Sequence, residues 1–294
     1  MVSVLRRPMP VIRADGGRGT RGSVRSVGPS TRSGADVPSL HRISVEVDGV
    51  ELLEARHLRA TVSSWLEDDG EHHANVKPFT LTPLHVAGGA TAFDVALLDD
   101  ARRGRLEEGA ARASERPVRA GSARLTVTLT DDGLAAPVVE EASWTALRDC
   151  EPTPTITLAM LTPTVFRSGR HEQLPFPLPG PVFGHQRARW NTFCPPDATL
   201  DLDLAELRLH IEHFEGSSQT HVDGHRTTGP RGHGPVRDVT FTGFVGTVTY
   251  RSHSETSARR GRPLQDWHAL ARLATYAGTG ANTTIGMGVT RIVP

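Results

Sequence analysis

The hydrophobic residues along the chain follow one order of elements, and this order occurs twice. In the first half, alternating apolar residues predict strands, and apolar residues three or four apart predict helices, as at Leu58, Val62 and Trp65. The predicted elements are a strand over 41–48, a helix over 53–68, an extended segment over 77–84, a strand over 93–98, a helix over 101–114 and a strand over 123–130. Such an order leaves few arrangements other than one sheet packed against two helices.

The second half repeats this order. Its predicted elements are a strand over 155–161, a helix over 181–193, paired strands over 207–214 and 239–251, a helix over 264–277 and a strand over 289–293. The β-α-β-β-α-β order defines the ferredoxin-like (RRM-like) unit. The sequence therefore predicts an α+β fold of two tandem ferredoxin-like domains, residues 39–150 and 151–294, with a soft boundary at 140–154.

Residues 1–38 differ in composition from the rest. They hold seven Arg but only two acidic residues, in a background rich in Gly, Ser and Pro and without hydrophobic periodicity. This pattern predicts a disordered basic tail, although a misplaced start codon explains it equally well. Removing these residues from the 33 basic and 33 acidic residues of the chain leaves a body with a net charge of about −5. Any affinity for nucleic acid must then come from local arginine patches.

Composition excludes several classes of protein. No apolar run approaches the roughly 18 residues of a membrane span, and no apolar signal-peptide core lies near the start. The two cysteines, Cys150 and Cys194, are far apart and form no CxxC pair. Neither a disulfide framework nor a zinc knuckle is therefore indicated. Together these features predict a cytoplasmic protein that makes no contact with a membrane.

One basic residue differs in kind from all the others. Lys77 is the only lysine in the chain, and the other basic residues are all Arg. This bias is typical of a GC-rich genome, in which Lys codons drift to Arg wherever either residue serves. A retained lysine indicates a site where a compact ammonium on a flexible stem does what a guanidinium cannot, with chance as the alternative.

A glycine-rich segment near the C-terminus has four glycines in eleven positions, at Gly278, Gly280, Gly286 and Gly288. Glycine permits positive φ and lets a ligand approach backbone N–H groups closely. The order here is helix, loop, strand, which is not the strand, loop, helix order of Rossmann or Walker phosphate sites. An anion-binding loop and a tight helix-to-strand connection with a C-cap glycine at Gly278 both fit.

Three motifs resemble those of one family. The glycine segment, with residues 243–250 and 270–274 before it, resembles the C-terminal signature of the CRISPR pre-crRNA processing endoribonucleases, members of the RAMP superfamily. Residues 161–167 and 174–191 resemble the opening of that family's second domain. His72 and His73 with Lys77-Pro78-Phe79-Thr80 resemble its first-domain active-site stretch. The motifs occur in the family's order and cover residues 41–293.

The resemblance implies cleavage of CRISPR repeat RNA without a metal or other cofactor. In that family the 2′-hydroxyl of the RNA attacks the neighbouring phosphate and leaves a 2′,3′-cyclic phosphate. Histidine suits the acid or base role because its pKa lies near neutral pH. One of His72 and His73 is thus the expected acid or base, with His72 slightly favoured, and Lys77 the expected cation for the transition state. Some relatives add a tyrosine, but the only tyrosines here, Tyr250 and Tyr276, lie in the second half.

RNA binding is expected at the glycine segment and at nearby arginines. Where the family often has a basic residue in this loop, the chain has Asn282. The expected RNA-binding residues are Gly278, Gly280, Asn282, Gly286, Gly288, Arg167, Arg170, Arg187 and Arg189. Phosphate contacts of this kind position RNA without reading its sequence. The expected partner is CRISPR repeat RNA or crRNA, with other CRISPR effector subunits as further candidates.

Two rival functions fit parts of the sequence. A non-catalytic RNA-binding subunit of the same superfamily would need the glycine segment but not the histidines and Lys77. A metal-dependent hydrolase would use the histidines around residues 216–236, a span expected to be a flexible excursion between strands. His210 and His213, three apart on a predicted strand, should face opposite sides and share no zinc. No metal site is therefore expected.

Overall fold

The computed structural model describes residues 37–49, 53–68, 76–168, 172–226, 236–253 and 261–294. The predicted tail lies outside these residues except for Val37 and Pro38. The elements of the N-terminal half are β1 (Ser39–Asp48), α1 (Ala55–Leu66), β2 (Phe79–Leu81), β3 (His85–Ala87), β4 (Ala90–Leu97), α2 (Arg103–Glu115), β5 (Val118–Ala120), β6 (Ala123–Thr128), β7 (Val138–Glu141) and α3 (Trp144–Arg148).

The N-terminal sheet has the order β2-β4-β1-β6-β5, with β3 paired to β4 and β7 to β1, and every pair is antiparallel. The alternation along β1 turns Ile43 and Val45 toward the helices, where they join a buried cluster with Val62 of α1 and Leu106 of α2. Gly109 lets the two helices approach each other, because a Cβ there would overlap the Trp65 ring.

The C-terminal half forms a second sheet. Its elements are β8 (Thr155–Thr164), β9 (Phe166–Ser168), β10 (Glu172–Leu174), α4 (Pro179–Phe193), β11 (Leu209–Arg226), β12 (Val236–Ser252), α5 (Arg262–Ala277) and β13 (Thr290–Val293). The strand order is β11-β12-β8-β13, again antiparallel, while β9 and β10 form a separate hairpin. Phe183 of α4 packs edge-on against Tyr250 and Trp267 in the core, with ring centroids 5.1 and 5.6 Å apart.

Both halves have the predicted β-α-β-β-α-β order, so the predicted fold class of tandem ferredoxin-like domains is confirmed. One local prediction is wrong. The span 216–236 is not simply an excursion, because β11 and β12 remain paired as far as Arg226 and Val236. The extension of the two predicted strands was missed because its Gly, Ser, Thr and His residues carry no hydrophobic alternation. In the described part of the chain, no helix has the length and apolar composition needed to cross a bilayer.

Contacts between the halves bring residues 77–84 against the C-terminal half. The hydroxyl of Thr80 donates a buried hydrogen bond to the carbonyl oxygen of Tyr276 at 2.8 Å. The phenol of Tyr276 donates in turn to Glu140 at 3.2 Å. Gly286 lies against Pro83, where a Cβ would come within 3.0 Å of the proline ring. The segment that carries the lone lysine therefore meets the segment that carries the four glycines.

Candidate functional site

The segment from Gly278 to Gly288, called the glycine loop below, connects α5 to β13 and folds back on itself. A hydrogen bond of 2.7 Å runs from the N–H of Thr279 to the carbonyl oxygen of Gly288. Gly288 has a φ of 67°, and a Cβ added there would overlap the backbone carbonyl oxygen of Thr279. The loop's own backbone therefore requires this glycine.

The loop is also joined to the chain just after β8. The N–H of Ala281 donates to the carbonyl oxygen of Val165 at 2.7 Å. A Cβ on Gly280, whose φ is 84°, would lie 2.5 Å from the same oxygen, so this glycine too makes room for protein backbone. Most of the loop is buried, and only Ala281 and Asn282 at its tip are partly exposed. The tip is thus the part of the loop that a ligand can reach most easily.

Two polar side chains of α4 donate hydrogen bonds to the loop and to the carbonyl group that precedes it. The amide of Gln186 donates to the carbonyl oxygen of Gly278 at 2.6 Å. The guanidinium of Arg189 donates to the carbonyl oxygen of Ala277 and, at 2.7 Å, to the hydroxyl of Thr283. Burial lowers the pKa of Arg189 to about 10, which still leaves it cationic at neutral pH. Arg189, expected to bind RNA, therefore also holds the loop in place.

A pocket of about 420 Å³ lies where the two halves meet at the loop tip. It is lined by side chains of α1, β9 and α4, by the segment before β2 and by the loop. These lining residues are Arg59, Lys77, Phe166, Arg167, Pro181, His185, Arg189, Gly280, Ala281, Asn282, Thr283 and Thr284. Four of them are cationic and none of these twelve is acidic. The pocket thus concentrates positive charge on a body that is acidic as a whole, which suits an anionic ligand.

Lys77 lies on the pocket wall at the start of the extended segment before β2. It is 8% exposed, and its Nζ lies 2.6 Å from Oε1 of Glu67, a carboxylate whose side chain is 2% exposed. Glu67 follows the last residue of α1 and is its C-cap residue. A buried carboxylate therefore fixes the position of the ammonium group, and removing either partner would leave a buried charge uncompensated.

The loop tip meets Arg167 of β9. The guanidinium of Arg167 lies 3.4 Å from Oδ1 of Asn282. Asn282 has a φ of 62°, a left-handed conformation that asparagine adopts more readily than most side chains other than glycine. This conformation gives a physical reason for asparagine where the resembling family often has a basic residue. Arg59 of α1 lines the same pocket, and nothing in the sequence distinguished it from other helical surface arginines.

Several expected site residues lie elsewhere. Arg187 does not line the pocket, and it donates to the carbonyl oxygen of Leu202. His72, His73 and Arg170 lie outside the described residues. The structure thus brings together Lys77, Arg167, Arg189 and the loop tip, while the roles expected for the other residues stay predictions.

His185 of α4 is a pocket residue that the sequence did not point to. Its pKa is lowered to about 3, first by burial and then by the charge of Arg189 one turn along the helix. The imidazole is therefore neutral at working pH. Since α4 also carries Gln186 and Arg189, the helix presents one neutral ring and two loop-binding side chains to this region. A histidine among arginines on a helix gives no sign in the sequence that it will line a cavity.

The geometry of His210 and His213 differs from the expectation. A β-bulge falls between them, so His210 lies opposite Arg251 and His213 opposite Thr249. Arg251 and Thr249 are two apart on β12 and face the same side of the sheet, so His210 and His213 opposite them also face one side. The predicted opposite orientation of the two histidines is therefore wrong. Within the described ranges, no group of three or more His, Cys, Asp or Glu side chains could hold a metal ion.

Comparison with known proteins supports the fold and finds a family match within the second half. Residues 158–290 match the family model of the CRISPR-associated endoribonuclease Cas6. A product complex of Thermus thermophilus Cas6 shares 24% identity with a TM-score of 0.66, covering 88% of this chain and 100% of that chain. A second Cas6 product complex shares 24% identity with a TM-score of 0.67 and the same coverage. The substrate mimic complex of this second Cas6 shares 23% identity, again with 88% and 100% coverage, with a TM-score of 0.65. No curated protein matches the chain.

These matches confirm the resemblance predicted from the sequence. The family model covers the glycine loop, α4 and the ribbon, whereas the N-terminal half with Lys77 is matched through its fold. One side of the pocket therefore lies within the residues that the family model matches. The other side, which includes Lys77, is matched only through the similarity of fold.

Proposed function

From the match of residues 158–290 to the family model of the CRISPR-associated endoribonuclease Cas6, we infer that the chain cuts CRISPR repeat RNA to yield mature crRNA. The observation that carries this proposal is the cationic pocket, in which the lone lysine of the N-terminal half faces the loop tip of the C-terminal half. The domains proposed for these roles are residues 39–150, with the catalytic loop, and residues 151–294, with the RNA-binding loop. The proposed location is the cytoplasm.

The proposed reaction is transesterification within the RNA and requires no metal. The 2′-oxygen forms a bond to the neighbouring phosphorus while the bond from phosphorus to the 5′-oxygen breaks. A base takes the proton of the 2′-hydroxyl, and an acid gives a proton to the leaving 5′-oxygen. The products are a 2′,3′-cyclic phosphate and a 5′-hydroxyl, so atoms and charge balance without an added reactant.

Lys77 is the proposed cation for the charge that develops on phosphate. It lies on the pocket wall, and the carboxylate of Glu67 orients it at 2.6 Å. Groups that are already oriented need no rearrangement when charge develops, and this makes them effective in transition-state stabilisation. Arg59 and Arg167 line the same pocket and suit the flanking phosphates.

His72 and His73 are the proposed acid and base candidates. They precede Lys77 by five and four residues, so the Cα of His73 lies within about 14 Å of the Cα of Lys77 even along a fully extended chain. Either side chain is therefore proposed to reach the pocket. Since adjacent residues of an extended segment point to opposite sides, one of the two is proposed to act, with His72 favoured.

The RNA is proposed to bind along the loop tip and the arginines around it. Asn282 and Arg167 would contact it directly, while Arg189 and the glycines at 278, 280, 286 and 288 keep the tip in shape for that contact. Arg170 and Arg187 are proposed to contact the RNA outside the pocket. Similar Cas6 proteins have been solved as product complexes, in keeping with a crRNA that stays bound after the cut. Other effector subunits would then join the bound product.

Cleavage in the presence of EDTA tests the proposal. Purified protein with a cognate repeat RNA should yield two fragments, the upstream one ending in a cyclic phosphate that acid opens. The double variant His72→Ala/His73→Ala should lose cutting while binding the RNA within about threefold of wild type, because the pocket cations remain. Full activity of this double variant would show that the proposed acid and base are wrong, and activity that chelator removes would refute the metal-independent reaction.

One observation favours a second candidate, a non-catalytic RNA-binding subunit. The ion pair with Glu67 gives Lys77 a structural role that needs no reaction. Under this alternative the wild-type protein binds repeat RNA with its pocket intact and leaves it uncut. The same EDTA experiment, with binding measured in parallel, separates the two candidates.

A further inference from the structure

His185 lines the pocket and differs from its neighbours on α4 in its hydrogen bonding. Its neighbours on α4, Gln186 and Arg189, both donate hydrogen bonds to the glycine loop or its preceding carbonyl. His185 makes no hydrogen bond to any described residue, and its Nδ1 is shut off from solvent. Leaving a buried polar atom unpaired costs about 1–3 kcal/mol. An apolar side chain would fill this position without that cost, which indicates that the ring serves a bound molecule.

Only one ring nitrogen of His185 can meet such a molecule. Nδ1 is shielded by the protein, whereas Nε2 is not, and the ring forms part of the pocket wall. A proton on Nδ1 would leave a buried donor unpaired. In the neutral tautomer with its proton on Nε2, Nδ1 is instead an unpaired acceptor, and the N–H group is directed into the pocket. We assign that tautomer on this argument.

The neutral ring offers a different contact from the rest of the pocket. Arg59, Lys77 and Arg167 carry full charges, which suit phosphate oxygens. Burial and the Arg189 cation hold the pKa of His185 at about 3, so it stays uncharged throughout the range in which the protein would work. A neutral N–H donor is directional and suits a neutral oxygen, either a ribose hydroxyl or a base carbonyl.

We propose that His185 is a positioning residue that donates a hydrogen bond from Nε2 to a neutral oxygen of the nucleotide whose phosphate meets Lys77 and Arg167. This rests on the proposed function, because it takes the ligand to be RNA. Its role is to fix the rotation of that nucleotide, which phosphate contacts alone leave open. Such fixing brings the reacting 2′-hydroxyl into line with the phosphate, a requirement of the reaction geometry.

The test compares His185→Leu, which fills the space, with His185→Gln, which keeps a neutral donor. The probe is the upstream product RNA, which cannot be cut again, and the readouts are its binding affinity and the single-turnover cleavage rate of the intact repeat. Leucine should weaken product binding about tenfold, the size of one lost hydrogen bond, and glutamine should restore it to within about threefold. The unfolding temperature of His185→Leu should not fall below that of wild type, because no hydrogen bond within the protein is lost. His213→Leu, an exposed histidine of β11, is the matched control.

Two series of modified product RNA distinguish the two oxygens. If one 2′-deoxy substitution weakens binding to wild type but not to His185→Leu, the partner is a ribose hydroxyl. If one abasic position behaves in this way, the partner is a base. Wild-type affinity and rate in His185→Leu, or no modification coupled to residue 185, would overturn the inference. A wild-type protein that neither binds nor cuts repeat RNA would instead refute the proposed function, so the two failures are distinguishable.

Discussion

Lys77 owes its position to a residue that has no signal of its own in the sequence. The lysine was conspicuous because all other basic residues are Arg, but the carboxylate of Glu67 is one of many acids along the chain. The structure joins them at 2.6 Å with both side chains almost fully buried. In so confined a site a guanidinium, which is larger and planar, cannot occupy the same position with the same contacts.

Replacing Lys77 with arginine should therefore lower the cleavage rate about tenfold or more while RNA binding changes less than about threefold, and Lys77→Ala should lower the rate about 100-fold. Single-turnover cleavage with saturating protein measures the first effect and equilibrium titration the second. Arg112→Lys, the reverse exchange at an exposed site of α2, is the matched control and should change neither. An unaltered rate in Lys77→Arg would leave the lysine with a structural role only.

Other pocket residues could not be found from the sequence. Arg59 and His185 lie on helices, and a polar residue on a helix usually faces solvent. Only the packing of α1 and α4 around the loop tip gives them a common cavity. Asn282 and Arg167 were within reach of prediction because the resemblance singled out their segments. The family resemblance and the lone lysine thus identified one side of the pocket, and tertiary structure supplied the other.

At the scale of elements, periodicity predicted the longer helices and strands because their buried faces are apolar. It missed β3, β5 and β7, which have only three or four residues and so show too few repeats of an alternating pattern. The outer part of β11 and β12 was missed for another reason. Residues 212–220 are exposed, so backbone pairing rather than hydrophobic burial defines this part of the ribbon. Hydrophobic patterns in a sequence indicate buried faces, so they do not reveal strands that have no buried face.

The glycine loop gives a prediction at this scale. Gly288→Ala should lower the free energy of unfolding by about 2 kcal/mol or more, because φ is 67° and the new Cβ would overlap the Thr279 carbonyl oxygen. Chemical denaturation measures the loss. Gly104→Ala in α2, where a Cβ meets no atom within 4 Å, is the control and should be neutral or slightly stabilising. Equal stability of the two variants would mean that the loop adopts another backbone conformation.

At the scale of the whole molecule, the charge of the body and the charge of the pocket are opposed. The body carries about five more acidic than basic residues, yet the pocket lining has four cations. Under the proposed function, long-range attraction of RNA would consequently be weak, and binding would depend on a few short contacts. Arg189 is occupied with the loop, which leaves three cations for phosphates.

Phosphate contacts at these three pocket cations alone predict a modest dependence on salt. The logarithm of the binding constant should fall with the logarithm of salt concentration at a slope of about −2, so affinity should drop roughly 20-fold between 50 and 200 mM. Arg167→Gln should reduce the slope to about −1.4. Titrations of the uncleaved or product RNA at four salt concentrations measure both values, with Arg112→Gln as control. A slope near −3.5 would show that Arg170 and Arg187 also contact phosphates, and a slope near −5 would reveal phosphate contacts still farther from the pocket.

The hydrogen bond between Ala281 and Val165 has a consequence for how such a protein can evolve. The loop's glycines accommodate the protein's own backbone, so exchanging them is penalised whatever RNA is recognised. Freedom to adapt lies instead at the tip, where the side chains of Ala281 and Asn282 reach the pocket. A lineage whose repeat sequence drifts would be expected to alter these two positions, together with Arg59 on the facing helix, and to keep the glycine scaffold that presents them.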